Sequence, residues 1–337
     1  ARVLGPARSR SPGQWHAAEV EGEAVLSVTA AVLPGVALSA FHISATDVPS
    51  PGSAIEVWAG LLGCPPNPET HVILFPDPYS FNPQNLLDGL DLAFPQGVCL
   101  GGLVGGGAGF GSESLIFGDE LHDSGAVGVT LSGNVEVENV VAQGCAPVGP
   151  PVFVTRCRGN ILLECDGRSV MRVLEEIYGA LDQRERALFQ RGLMVGVVMR
   201  ESQQEYSVGD FLIRNVIGID PSEEAVAVGA VLHEAQVIQF HVRDAVASAH
   251  DLGVVLDGGL RRWGDKEWAG ALLFSCVGRG RGLYGRPHHD SELFLHKVGP
   301  VPLGGFFGSG EIGPIQGKTY LHGYTSVFAL FRSKSLS

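Results

Sequence analysis

Apolar residues along this chain fall in short runs punctuated by glycine, proline and asparagine, the spacing of strands more than of long helices. Val72-Ile73-Leu74-Phe75, Gly125 to Leu131, Ala271-Leu272-Leu273-Phe274 and Tyr324 to Phe331 read as apolar strands, and Leu100-Gly101-Gly102-Leu103 and Leu303-Gly304-Gly305-Phe306 as glycine-rich turns. Three stretches switch to a helical period. They are Asn82 to Leu92, with Asn82-Pro83 as cap and first-turn proline, Ser169 to Leu181, with Ser169 as N-cap, and Asp290 to Val298, with Asp290 as N-cap. Ala24 to Thr46 holds no Asp, Glu, Lys or Arg and is long enough to cross a bilayer, but Pro34-Gly35 interrupts it. Val25, Ser27 and Thr29 before the break, and Val36, Leu38 and Ala40 after it, alternate as in a strand–turn–strand. Leu92 to Ser112 is too rich in glycine for a spanning helix. No membrane span is expected.

The pattern occurs twice, which changes how every motif is read. Ala40-Phe41-His42-Ile43-Ser44 matches Gln239-Phe240-His241-Val242-Arg243, and Val72 to Phe75 matches Ala271 to Phe274, both at an offset of 199. Leu100 to Leu103 then matches Leu303 to Phe306 at 203, each followed by more glycine, Gly105 to Gly111 and Gly308-Ser309-Gly310. Strand, helix and strand followed by further strands predict an α/β fold, with α+β as the alternative. Two related halves, each a mixed β-sheet covered by helices, are expected to pack about a pseudo-twofold axis. The expected division is 1–22 as a leader or extended segment, 23–149 as the first half and 150–337 as the second, with the break at Gly149-Pro150-Pro151.

A formal net charge of −13 with no Lys/Arg stripe argues against a nucleic-acid partner. The six cysteines, Cys64, Cys99, Cys145, Cys157, Cys165 and Cys276, show no CxxC spacing and mostly lie in apolar contexts. They read as reduced thiols in an intracellular protein. Residues 1–18 carry Arg2, Arg8, Arg10, Ser9 and Ser11 and no acidic residue, the bias of an organellar transit segment. The expected location is the chloroplast, stromal or thylakoid-associated, with the cytoplasm as the alternative.

Several segments resemble the FIST family, FIST N followed by FIST C. Gln143-Gly144-Cys145-Ala146-Pro147-Val148-Gly149-Pro150-Pro151, with Val154-Thr155 and Asp166-Gly167-Arg168, resembles the junction between its domains. Leu273-Phe274-Ser275-Cys276-Val277-Gly278-Arg279-Gly280, Gly305-Phe306-Phe307, Gly310-Glu311-Ile312-Gly313-Pro314 and Leu321-His322-Gly323-Tyr324-Thr325-Ser326 resemble its C domain. Gly282-Leu283-Tyr284-Gly285 and His322 to Ser326 resemble the form found in photosynthetic lineages. Val277 and Ser309 depart from the residues common there, and the opening segment of the N domain is not recognised. The resemblance implies a non-catalytic sensory or signalling module that binds a small molecule such as an amino acid.

The candidate ligand site is Ser275, Cys276, Arg279, Gly280, Arg281, Gly310 and Glu311, where two glycine-rich turns follow apolar strands. Arg279 or Arg281 suits an anionic group and Glu311 an amine, together an amino-acid-like or carboxylate ligand. Gly280-Arg281-Gly282-Leu283-Tyr284-Gly285 fits GxGxxG, but Pro287 follows at once and Gly304-Gly305 stands where a dinucleotide site needs an acid. His288-His289-Asp290 has adjacent histidines that point apart in extended chain, with Asp290 better used as a cap. No metal or cofactor is expected. Two alternatives stay open. Cys276, His322 and Glu311 are a nucleophile, base and orienter in principle, as in a Cys-dependent hydrolase or transferase. The protein is otherwise a docking or assembly factor on a larger, thylakoid-associated complex.

Overall fold

The computed structural model describes residues 3–8, 15–23, 25–105, 114–201, 203, 205–207 and 209–334. Of the glycine run 105–111, residues 106–111 therefore lie outside the described residues. In chain order the strands and helices begin with β1 (Val3–Arg8), β2 (Trp15–Val20), β3 (Val36–Ile43), α1 (Ile55–Leu61), β4 (His71–Pro76), α2 (Gln84–Ala93) and β5 (Cys99–Gly102). Next come β6 (Leu115–Phe117), β7 (Glu120–His122), β8 (Ala126–Gly133), β9 (Glu136–Ala142), β10 (Cys145–Pro147), β11 (Val152–Arg158), β12 (Ile161–Cys165) and β13 (Arg168–Ser169). Then follow α3 (Val170–Ala180), α4 (Gln183–Arg191), β14 (Leu193–Val198), β15 (Phe211–Asp220), β16 (Ala225–Val228), β17 (Val237–Arg243) and α5 (Ala245–Trp263). The chain closes with β18 (Gly270–Cys276), α6 (Arg281–Tyr284), α7 (His289–Val298), β19 (Leu303–Gly308), β20 (Glu311–Ile315), β21 (Lys318–His322) and β22 (Ser326–Arg332). They form two compact units, Ala1–Ala142 with Leu252–Ser337, and Gln143–Asp251.

The first unit holds two mixed sheets, ordered β21-β20-β5-β4-β8-β3 and β2-β1-β19-β18-β22-β9. The central strands are apolar throughout because both faces are covered. Period two sends Val72 and Leu74 to a core with Trp58, Leu86, Leu87 and Leu90 of α1 and α2. Ile73 turns the other way, to a core with Leu100, Phe274 and Val327 between the sheets. Leu273 likewise joins Leu252, Leu256, Trp263 and Phe294 of α5 and α7. The result is helix, sheet, sheet, helix.

The duplication is real, and its alignment differs from the sequence match. The order β3-β8-β4-β5 recurs as β9-β22-β18-β19, with β4 parallel to β5, β18 parallel to β19, and the other pairs antiparallel. The counterpart of β3 is thus β9, not the Gln239–Arg243 stretch, which is β17 of the second unit. Phe41 and Val140 occupy the equivalent place, each two strands from Leu74 or Leu273 across Gly128 or Phe328. Gly101 pairs with Leu74 and Gly305 with Leu273, so the equivalent glycine is Gly305 and not Gly304. The sequence match failed because alternating apolar strands are alike wherever they lie, whereas ladder register is not.

The second unit is a β-barrel. β17, β11, β12, β16, β15 and β14 pair in that order, and β14 returns to β17 to close it. Inward Val195, Val226, Ile238 and Phe240 pack with Val173, Leu174 and Ile177 of α3. Gly149-Pro150-Pro151 lies inside this unit. β10 and β11 share one edge of β17, and the prolines, which lack an N–H, divide that edge into two ladders. Residues 3–8 and 15–20 of the expected leader are paired strands of a sheet. Of the expected strand–turn–strand, residues 36–43 form β3 while 25–33 remain outside any ladder.

Candidate functional site

The candidate residues gather in the first unit, where strands of both halves end together. β20 leaves the sheet of its own half and pairs with β5 of the other, placing Glu311 opposite Gly102. Leu103 N donates to Gly310 O at 2.8 Å and Ser309 N to Leu103 O at 3.3 Å, so the two glycine-rich turns cross. At Gly310 the approach is close: a Cβ there would sit 2.9 Å from Leu103 Cδ1 and displace that side chain. Cys276 ends β18, its N donating to Thr325 O at 3.0 Å. In the other half Asp77 N makes the equivalent bond to Gly125 O at 2.9 Å, so a carboxylate stands there where this half has a thiol.

Arg279 is fully buried and four of its five N–H donors are committed. Nε donates to Asp290 Oδ2 at 2.8 Å and Nη2 to Asp290 Oδ1 at 3.1 Å, a bidentate pair. Nη2 also donates to Tyr284 Oη at 2.7 Å and Nη1 to Tyr324 O at 3.3 Å. Asp290 further accepts from Ser326 Oγ at 2.6 Å and Ser275 Oγ at 3.3 Å, and His289 Nδ1 lies 3.0 Å from it. Burial pushes the Asp290 carboxyl up, but the Arg279 charge and the hydrogen bonds outweigh it and hold Asp290 below the ordinary range. For Arg279 burial pulls down, and Asp290 more than reverses it. Asp290 is therefore not a helix cap: α7 is capped in position by His288, and Asp290 sits in the first turn as a counter-ion. A buried guanidinium requires such a partner, and Arg279 beside an apolar strand was the signal for it.

Glu311 is also fully buried, its Oε2 accepting from Thr325 N at 3.1 Å. Its Oε1 is buried with no hydrogen-bond partner among the described residues. Burial raises this carboxyl well above its ordinary value, against the lowering effects of the Thr325 bond, Arg279 and the neighbouring Cys276 thiol. The Cys276 thiol is pushed up to about 12, by burial first and by Glu311 second. Arg281 differs: its side chain is exposed at the start of α6, and its N donates to Glu21. Gly280 adopts φ 62° with Glu21 against it. Val277 is exposed, and Ser309 Oγ donates to Val104 O at 3.3 Å. Tyr284, Asp290, Thr325 and Ser326 join the cluster although no spacing in the sequence pointed to them.

His322 lies opposite Glu311 in the β20–β21 ladder, with Nε2 2.9 Å from Gly313 O. A thiol raised to about 12 is a poor nucleophile at neutral pH. Iodoacetamide at pH 8 is expected to leave Cys276 unlabelled in the native protein and to label it after denaturation, read by peptide mass spectrometry. Rapid native labelling would restore the hydrolase alternative.

Residues 11–168 match the FIST N domain and 170–314 the FIST C domain. Uncharacterized protein Rv0628c of Mycobacterium tuberculosis is 39% identical over 259 residues, 77% of this chain and 67% of its own. Uncharacterized protein Mb0898c of Mycobacterium bovis is 40% identical over the same shares. The F-box/LRR-repeat protein At5g63520 of Arabidopsis thaliana is 24% identical over 208 residues, 55% of this chain and 37% of its own.

Proposed function

Because the chain belongs to the FIST family, whose domains are sensory and signalling modules, we propose that it senses a small amino-acid-like molecule through Glu311. The observation that supports this reading is the buried Glu311 Oε1, which has no hydrogen-bond partner among the described residues. A buried polar atom left unpaired costs stability, and a ligand ammonium placed against it recovers that loss. The ammonium charge also draws the proton off Glu311, so amine binding strengthens as pH rises. Arg279 spends four of its five N–H donors on Asp290, Tyr284 and Tyr324; Arg281, whose side chain is exposed, is the cation we assign to a ligand carboxylate.

Thermal-shift screening with amino acids, simple amines and small carboxylates tests the proposal. A ligand at a hundredfold excess over its Kd is expected to add about 2.7 kcal/mol. Glu311→Gln, which keeps the shape and an acceptor, is expected to lose at least tenfold in affinity for amines and to leave carboxylate-only compounds unaffected. Absence of any shift across the panel would overturn the sensory reading of this site. Arg279→Ala is unsuitable as a binding test, because it removes the partner of a buried carboxylate.

A further inference from the structure

Residues 19–21 fasten the N-terminal hairpin of β1 and β2 to the segment that carries Arg279 and Asp290. Glu19 is buried, and its Oε1 accepts from Ser291 N at 2.8 Å and Ser291 Oγ at 2.9 Å. Its backbone N–H donates to His288 Nδ1 at 2.7 Å. Glu21 Oε1 accepts from Arg281 N at 2.8 Å, and a Cβ on Gly280 would sit 2.4 Å from that oxygen. Elsewhere the hairpin meets its sheet through Val3 opposite Phe306. Glu19 Oε2 is buried with no hydrogen-bond partner among the described residues, and the charged Asp290 is close by.

We propose that Glu19 is a proton-operated latch, which holds the hairpin on the 279–291 segment when protonated and releases it when ionised. The latched segment also carries Tyr284, which stacks against His289 with ring centroids 3.5 Å apart and accepts from Arg279 Nη2. The titratable and charged groups around the latch are Asp290, His288 and His289 of α7 and its cap, Glu21 of the hairpin, and Arg279, Arg281 and Tyr284 of the preceding turn.

Burial raises Glu19 to about 7, Asp290 and then Glu21 add to the rise, and the Ser291 hydrogen bonds oppose it. Since the closed-state value lies above the ordinary one, the latch is fully effective below the ordinary glutamate range and is lost as pH rises through about 7. Asp290 does not take up the proton in this window, because Arg279 holds it ionised.

Hydrogen exchange of residues 15–23 and 288–292 in the ligand-free full chain, corrected for intrinsic rates, tests this directly. Protection is expected to fall about tenfold between pH 6 and pH 8, the change for one proton titrating near 7 in the closed state alone. Glu19→Gln keeps the Oε1 acceptor and puts a donor where the proton was, so its protection is expected to stay flat. Glu21→Gln is expected to retain the pH response. Equal wild-type protection at both pH values, or a tenfold change surviving in Glu19→Gln, overturns the latch. Should Glu19→Gln not fold, the wild-type midpoint decides: a value below pH 6 removes Glu19 as the group. Because no ligand is present, this result is independent of the thermal-shift screen.

Discussion

Asp290→Asn is expected to destabilise the first unit by about 3–5 kcal/mol, the cost of leaving one member of a buried ion pair uncompensated. Asparagine preserves the outline of the side chain and can still accept from Ser326, but it leaves the Arg279 guanidinium fully buried without its counter-charge. A domain's stability is on the order of 5–15 kcal/mol, so the variant should lose about a fifth or more of its margin. Urea denaturation at pH 7 measures this, and a loss under 1 kcal/mol would mean that the guanidinium finds solvent the native structure denies it. The pH dependence has a definite sign. With its folded value depressed, Asp290 contributes fully above the ordinary aspartate range, and its contribution declines only as the solution becomes strongly acidic. Glu19 acts oppositely, its contribution fading as pH rises through about 7. Two carboxyls in one cluster thus limit stability from opposite sides.

Gly305→Ala and Gly101→Ala are expected to cost about 3 kcal/mol or more each. Gly305 has φ 136° and Gly101 φ 152°, a region that side chains rarely adopt. A Cβ at either would lie 1.9 Å from the carbonyl oxygen of its strand neighbour, Leu273 or Leu74, and that backbone sits mid-sheet with nowhere to retreat. Gly282→Ala is the control, since nothing lies within 4 Å of its added Cβ. Chemical denaturation of the three variants decides the point. If Gly305→Ala tracks Gly282→Ala, the close approach of the paired strands is not what holds glycine there. The same strain at both positions is also the best evidence that the halves are copies, because it depends on register and not on composition.

Much of this protein follows from its sequence alone. Short continuous apolar runs bounded by turn residues, such as Val72–Phe75 and Ala271–Phe274, read as strands covered on both faces, and their repetition with a helix after each points to two like halves. The glycine turns after each second strand, and Arg279 beside an apolar strand end, located the cluster of Cys276, Arg279 and Glu311. What sequence cannot convey is which strand pairs with which, since ladder partners are chosen by tertiary packing among segments of similar pattern. β17 matched β3 by pattern yet closes a barrel, and β9 took the place opposite β22. The passage of β20 from one sheet to the other likewise set Glu311 against Gly102 across the duplication. Tertiary structure also decided the roles of charge. Asp290 looks like a cap in a helical pattern, and only burial beside Arg279 makes it a counter-ion. Nothing in the sequence marks Glu311 or Glu19 as buried, and only the loss of water around them raises their proton affinity, for a desolvated carboxylate is costly wherever no cation compensates it.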